Sequence, residues 1–76
     1  MSWKNHWRVI HEELGPPFVY GAEFRTKPEY PTDLSAESCA KDDLIEMFAE
    51  FGFPLTEDTI GTWFEYVGPR RTDGDA

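Results

Sequence analysis

The sequence predicts a mainly α fold: a small three-helix domain that ends in a helical hairpin, with an extended or short β segment near residues 18–25. Three observations predict it. Apolar residues recur at helical spacing in three separate windows, Gly and Pro punctuate the chain between those windows, and only one stretch alternates like a strand. A chain of 76 residues is one domain, close to the smallest size at which one core is stable without staples. The expected domain spans residues 1–69, followed by a disordered polar tail over 70–76.

The first helix is expected over residues 2–14. Trp3, Trp7, Ile10 and Leu14 fall on one stripe of a 3.6-residue period, and Lys4, Asn5, Arg8, Glu12 and Glu13 fill most of the rest. Ser2 can cap its start, and Gly15-Pro16-Pro17 stops it. A strand over 8–14 fails on alternation. In residues 18–25, Phe18, Tyr20, Ala22 and Phe24 do alternate with their neighbours, but a lone strand has no partner for its backbone. Pro28 and Pro31 make 26–34 a loop.

The second helix is expected over 35–51, capped by Ser35 or Asp33. Ala40, Leu44, Met47, Phe48 and Phe51 form its apolar face, and Asp42, Asp43, Glu46 and Glu50 its acidic one. Gly52 and Pro54 end it. The third helix is expected over 57–67. Thr56 caps it, Glu57 and Asp58 lie in the first turn where the helix dipole favours acids, and Leu55 and Ile60 form a hydrophobic staple. Ile60, Trp63, Phe64 and Val67 give the apolar repeat, and Gly68-Pro69 closes it.

The run from Asp43 to Gly68 resembles the helix-turn-helix of homeodomain-like transposase and regulator families. The matching features are Gly52 ending one helix, Thr56 capping the next, the Thr59-Ile60 pair, Trp63 and Gly68. The resemblance covers about a third of the chain and implies a hairpin whose second helix docks in the major groove. In those families the exposed positions of that helix are typically basic. Here they hold Gly61, Thr62, Glu65 and Tyr66, so Glu65 would face phosphates rather than neutralise them.

Composition narrows the function. The net charge is −8, which repels nucleic acid and anionic lipid on average and favours basic partners. Direct DNA binding is therefore disfavoured. No run approaches the ~18 apolar residues of a membrane span, and no signal-like leader opens the chain. A single cysteine, Cys39, allows no internal disulfide. These features lead us to expect a cytoplasmic protein with no membrane partner.

Catalytic and metal chemistry find no support. His6 and His11 are five residues apart and point to different faces of a helix, Cys39 has no adjacent base, and the glycines are isolated in turns or caps. No catalytic, cofactor or metal residues are assigned. The candidate partner-binding residues are Asp42, Asp43, Glu46, Glu50, Glu57, Asp58, Glu65 and Tyr66, an acidic field over the last two expected helices. A solvated face is the plain alternative. Tyr30, Phe53 and Tyr66 fit no core stripe and leave room for a partner or a homodimer. The sequence thus points to a non-enzymatic acidic protein-binding module. It would be an inhibitor or accessory factor of the kind phages and mobile elements encode, docking by acidic DNA mimicry on a basic, nucleic-acid-binding surface. The alternatives are a helix-turn-helix DNA-binding regulator, with Arg70 and Arg71 meeting phosphate, and a small structural subunit of an assembly.

Overall fold

A computed structural model describes residues 2–14 and 18–72. It shows a three-stranded antiparallel sheet with three helices, an α+β domain rather than a mainly α one. The elements run β1 (Trp3–Val9), a 3-10 turn (Glu12–Leu14), β2 (Glu23–Arg25), α1 (Asp33–Ser38), α2 (Ala40–Glu50), α3 (Glu57–Trp63) and β3 (Phe64–Arg71). The expected stop at Gly15–Pro17 and the last four residues of the expected tail lie outside the described residues.

The first correction is the N-terminal segment. Where a helix was expected over 2–14, residues 3–9 form the central strand, in the order β2-β1-β3. Trp3 and Trp7 are four apart, a spacing that serves a helix stripe and a strand face equally well. Asn5 and Val9 decide between them: Asn5, Trp7 and Val9 are buried at every second position, the period of a strand. Ile10, which completed the helical stripe, is 37 % exposed.

The second correction is the C-terminal end. The helix expected over 57–67 stops at Trp63, and Phe64 turns the chain into β3 with φ −136° and ψ 150°. From there Phe64 and Tyr66 point toward the helices and Glu65 away, in register with Val9, Trp7 and Arg8 of β1. Phe, Tyr and Val fit a pleated, half-buried surface, and the sheet offers them a partner that an isolated hairpin lacks. Arg70 and Arg71, expected in a disordered tail, lie in this strand.

A bulge at Val67 shifts the β1–β3 register by one, since His6 faces Gly68 while Trp7 faces Tyr66. Gly68 beside it has φ +130°, a conformation that L side chains rarely adopt. The shift places Arg70 opposite Lys4 on the open face of the sheet. Pro69 lies opposite Asn5, whose carbonyl accepts from Thr26 N–H on the other edge. Pro69 therefore removes no ladder bond.

The expected second helix is two helices. Thr32 opens α1 with a reciprocal box: Ser35 N–H donates to Thr32 Oγ1 at 3.1 Å, and Thr32 N–H to Ser35 Oγ at 3.3 Å. Cys39 then breaks the run, and α2 ends at Glu50. At α3, Thr56 N–H donates to Thr59 Oγ1 at 3.0 Å.

The helices cover one face of the sheet. Trp7, Val9, Ala40, Leu44, Phe48, Leu55, Ile60 and Phe64 form the core. Phe48 is its aromatic centre, with the Phe64 and Phe18 rings 4.9 and 5.0 Å away and Phe53 at 5.6 Å. Replacing Phe48 with Ala should cost about 3–5 kcal/mol, as for a buried large aromatic. Phe51→Ala on the same helix, at a side chain 68 % exposed, should change stability by less than about 0.5 kcal/mol. Chemical denaturation of the two variants measures the contrast; equal losses would mean that Phe48 is not the centre of the core.

Candidate functional site

The open face of the sheet follows from strand alternation. Lys4, His6 and Arg8 of β1, Glu23 and Arg25 of β2, and Glu65 and Arg70 of β3 share the side away from the helices. Four of the seven Lys and Arg residues gather there. Arg8 bridges Glu65 at 2.9 Å and Glu23 at 3.0 Å, and Arg70 reaches Glu23 at 3.0 Å. The hydrogen bond from Arg8 holds the Glu23 carboxyl below its usual range.

The helical side has the opposite sign. Residues 33–63 carry eight acids and a single base, Lys41. Seven of those acids are exposed: Asp33, Glu37, Asp42, Glu46, Glu50, Glu57 and Asp58. The eighth is a correction. Asp43, expected on the solvated acidic face, is 7 % exposed. It lies three residues after Ala40 and four before Met47, inside the apolar stripe of α2.

Asp43 belongs to a buried polar network that joins the helices to the sheet. Tyr30 Oη–H donates to its carboxylate, with Oδ1 and Oδ2 at 2.7 and 2.6 Å, and Asn5 Nδ2 donates to Oδ2 at 3.2 Å. The other Asn5 amide hydrogen goes to the Ala36 carbonyl at 2.8 Å, and Tyr66 Oη–H donates to Asn5 Oδ1 at 2.7 Å. Burial, then the bond to Asp43, raises the Tyr30 phenol above its ordinary range. Burial pushes the Tyr66 phenol up to about 12, with the charges of Glu37 and Asp43 adding to it.

A cavity of about 380 Å³ opens beside this network. Trp7, Tyr66 and Ala40 form its apolar wall, and Glu37, Ser38, Lys41, Asp42 and Glu57 line the rest. The Trp7 and Tyr66 rings meet at 4.9 Å. Trp7 is 2 % exposed, and its Nε1–H is one of two buried polar side-chain atoms without a partner among the described residues; the other is Thr26 Oγ1. A smaller cavity of about 70 Å³ is lined by Lys27, Pro28, Asp43, Glu46, Met47 and Glu50.

The eight partner-binding residues expected from sequence thus fall in several places. Asp42, Glu57 and Tyr66 meet at the larger cavity, and Asp43, Glu46 and Glu50 at the smaller one. Asp58 is exposed in the first turn of α3. Glu65 lies on the open sheet face, paired with Arg8, and Tyr66 is half-buried in β3 rather than exposed on a helix. Sequence reasoning missed Glu37 and Trp7, which a helix–sheet packing alone brings to Asp42 and Glu57. His6 lies on the sheet face, and the His11 ring packs on Trp63 at 4.5 Å. Among the described residues no group of three or more His, Cys, Asp or Glu could hold a metal, and no helix is long and apolar enough to cross a membrane.

No protein family, no curated protein and no solved structure matches this chain.

Two expectations follow from the network. Asp43→Ala removes the acceptor of one buried and one half-buried donor, Asn5 and Tyr30, and should destabilise the fold by about 1.5–3 kcal/mol, as for a hydrogen bond to a charged group. Glu46→Ala on the exposed side of α2 should cost less than about 0.5 kcal/mol, so paired denaturation curves separate the buried acid from the surface one. The second expectation concerns pH. A free phenol ionises near 10, whereas Tyr66 holds its proton to about 12. Between those values the folded chain binds more protons than the unfolded one, so stability falls as pH rises. The contribution is present in full below pH 10 and is lost as pH climbs from there toward about 12. Melting temperatures taken across this range should decline, and Tyr66→Phe, which has nothing to ionise there, should make the decline shallower, with a remainder from Tyr30, whose phenol is raised as well.

Proposed function

We propose that this protein is a non-enzymatic binding module whose acidic helical side docks on a basic protein surface. The observation that carries the reading is the segregation of charge: seven exposed acids across α1, α2 and α3, with the opposite sheet face holding most of the bases. Such a field speeds encounter with a basic surface and selects it over an acidic one. A nucleic-acid-binding groove is the kind of surface that exposed carboxylates fit, because they stand in for phosphates there. An inhibitor or accessory factor of a nucleic-acid-processing protein is therefore the setting we favour.

The test uses an arginine-rich peptide as a stand-in for a basic groove and a DNA duplex as the opposite case, both followed by anisotropy. The peptide should bind, and its affinity should fall with salt, since exposed charges are screened beyond about 8 Å near physiological ionic strength. The duplex should not bind even at low salt, because phosphate neutralisation drives that association. Reversing Asp42 and Glu46 to Lys should weaken peptide binding by more than about tenfold, with little change in melting temperature. Reversing Glu12 and Glu13 should matter less. Equal losses from the two double variants would reduce the acidic side to a diffuse field, and tight, sequence-selective binding of the duplex would overturn the reading.

A further inference from the structure

The larger cavity is built differently from the rest of the acidic side. Elsewhere the exposed carboxylates stand on open helix surface or line the smaller cavity, whose lining has no aromatic residue. Here two aromatic rings, Trp7 and Tyr66, lie against each other at 4.9 Å and form a wall, and the mouth carries carboxylates from three separate elements: Glu37 of α1, Asp42 of α2 and Glu57 of α3. Lys41 also lines it, so three negative charges face one positive charge. Lys41 forms no ion pair within the described residues, which leaves the three carboxylates open to an incoming cation. A volume of about 380 Å³ is within the range of sites that enclose small ligands.

We propose that this cavity receives an arginine side chain of the basic partner. The inference rests on the docking role of the acidic side and names what that side grips. The guanidinium is planar and stacks on an aromatic face while its five N–H donors reach carboxylates around the edge. A lysine ammonium offers a point charge and no plane, so the aromatic wall favours arginine. An anionic occupant would meet three carboxylates.

The experiment compares two labelled peptides of equal length and charge, one bearing arginines and one lysines, by anisotropy. The wild-type protein should bind the arginine peptide about fivefold more tightly, the scale of one stacked cation. Glu37→Gln with Glu57→Gln should bring that ratio near one. Glu46→Gln with Glu50→Gln, on α2 outside this cavity, should weaken both peptides and leave the ratio as it was. The substitutions are near-isosteric and at exposed positions, and melting curves confirm that both variants fold. In a proton–nitrogen spectrum the Trp7 indole N–H should shift as the arginine peptide is added, because its ring packs on Tyr66 at the cavity wall, while those of Trp3 and Trp63 stay in place. Equal affinity for the two peptides, an unchanged ratio in the Glu37/Glu57 variant, or a stationary Trp7 resonance would each overturn the arginine site and leave the docking side intact. Failure of both peptides to bind would overturn the docking role and this site with it.

Discussion

The structure depends on a backbone requirement of β1. A strand in the middle of a sheet exposes N–H and C=O groups along both edges, and each needs a partner when it is buried. On one edge, Trp3, Asn5 and Val9 bond to Tyr30, Thr26 and the Gly21–Ala22 turn; on the other, Ile10 N–H donates to the Trp63 carbonyl where β3 begins. The two ends of the described chain are thereby drawn together, and Thr72 N–H reaches the Ser2 carbonyl at 3.0 Å. The helices lie between these strands in sequence and pack where the closed sheet lets them. Residues 43–68 therefore do not stand as an independent hairpin, because the last five belong to β3. Pairing across some sixty residues of chain is also what makes such a topology slow to fold compared with a helical bundle.

Asn5 fixes the register of this arrangement. It sits at 0 % exposure in the middle of β1 and spends its amide on the Ala36 carbonyl at the α1–α2 joint and on Asp43, while its carbonyl accepts from Tyr66. A slip of one residue would turn Asn5 to the open face and bring Lys4 or His6 against the Asp43 side of the core. Apolar residues alone tolerate such errors better than a network of buried polar groups does. The same residues set the edge of the larger cavity, since Tyr66 is held by Asn5 on one side and packs on Trp7 on the other. Sheet register and cavity shape are thus coupled.

Parts of this were legible in the sequence. The centre of α2 and the start of α3 are written in local signals, because Gly52, Thr56, Thr59 and the Leu44–Phe48 stripe act within a few residues of one another. The N-terminal strand was obscured by Asn5. An inward polar residue breaks the apolar alternation that marks a strand, and Trp3, Trp7 and Ile10 then mimic a helix. The alternation survives on the other face, where Lys4, His6 and Arg8 recur at every second position. The strand at Phe64 was hidden for a different reason. Ile60, Trp63, Phe64 and Val67 satisfy a helical repeat, and only the distant β1 makes the extended form better, a tertiary preference that no local window contains. The candidate site divides the same way. Exposed acids such as Asp42 and Glu57 can be read directly, whereas the aromatic wall beside them requires knowing that Trp7 and Tyr66 are neighbours on adjacent strands.

Charge placement completes the argument about how the molecule meets other molecules. Two of the four bases on the sheet face are engaged at home: Arg8 and Arg70 are tied to Glu23 and Glu65 across the strands. Exposed pairs of this kind add little stability, on the order of 0–1 kcal/mol each, but the two acids offset half of the positive charge there. The acids of α1, α2 and α3 are not cancelled in this way, the Lys27–Glu50 contact at 3.5 Å being the one helix-borne ion pair among the described residues. The net charge of the chain is therefore expressed mainly from one side. A uniformly acidic sphere attracts a basic surface in any orientation, whereas a one-sided charge turns the molecule before contact and presents α1, α2 and α3 first. Orientation is the larger part of the loss between the diffusion limit and ordinary association rates, so in the docking proposed above, confining the charge to the side that holds the aromatic cavity would speed productive encounter without requiring any additional contact.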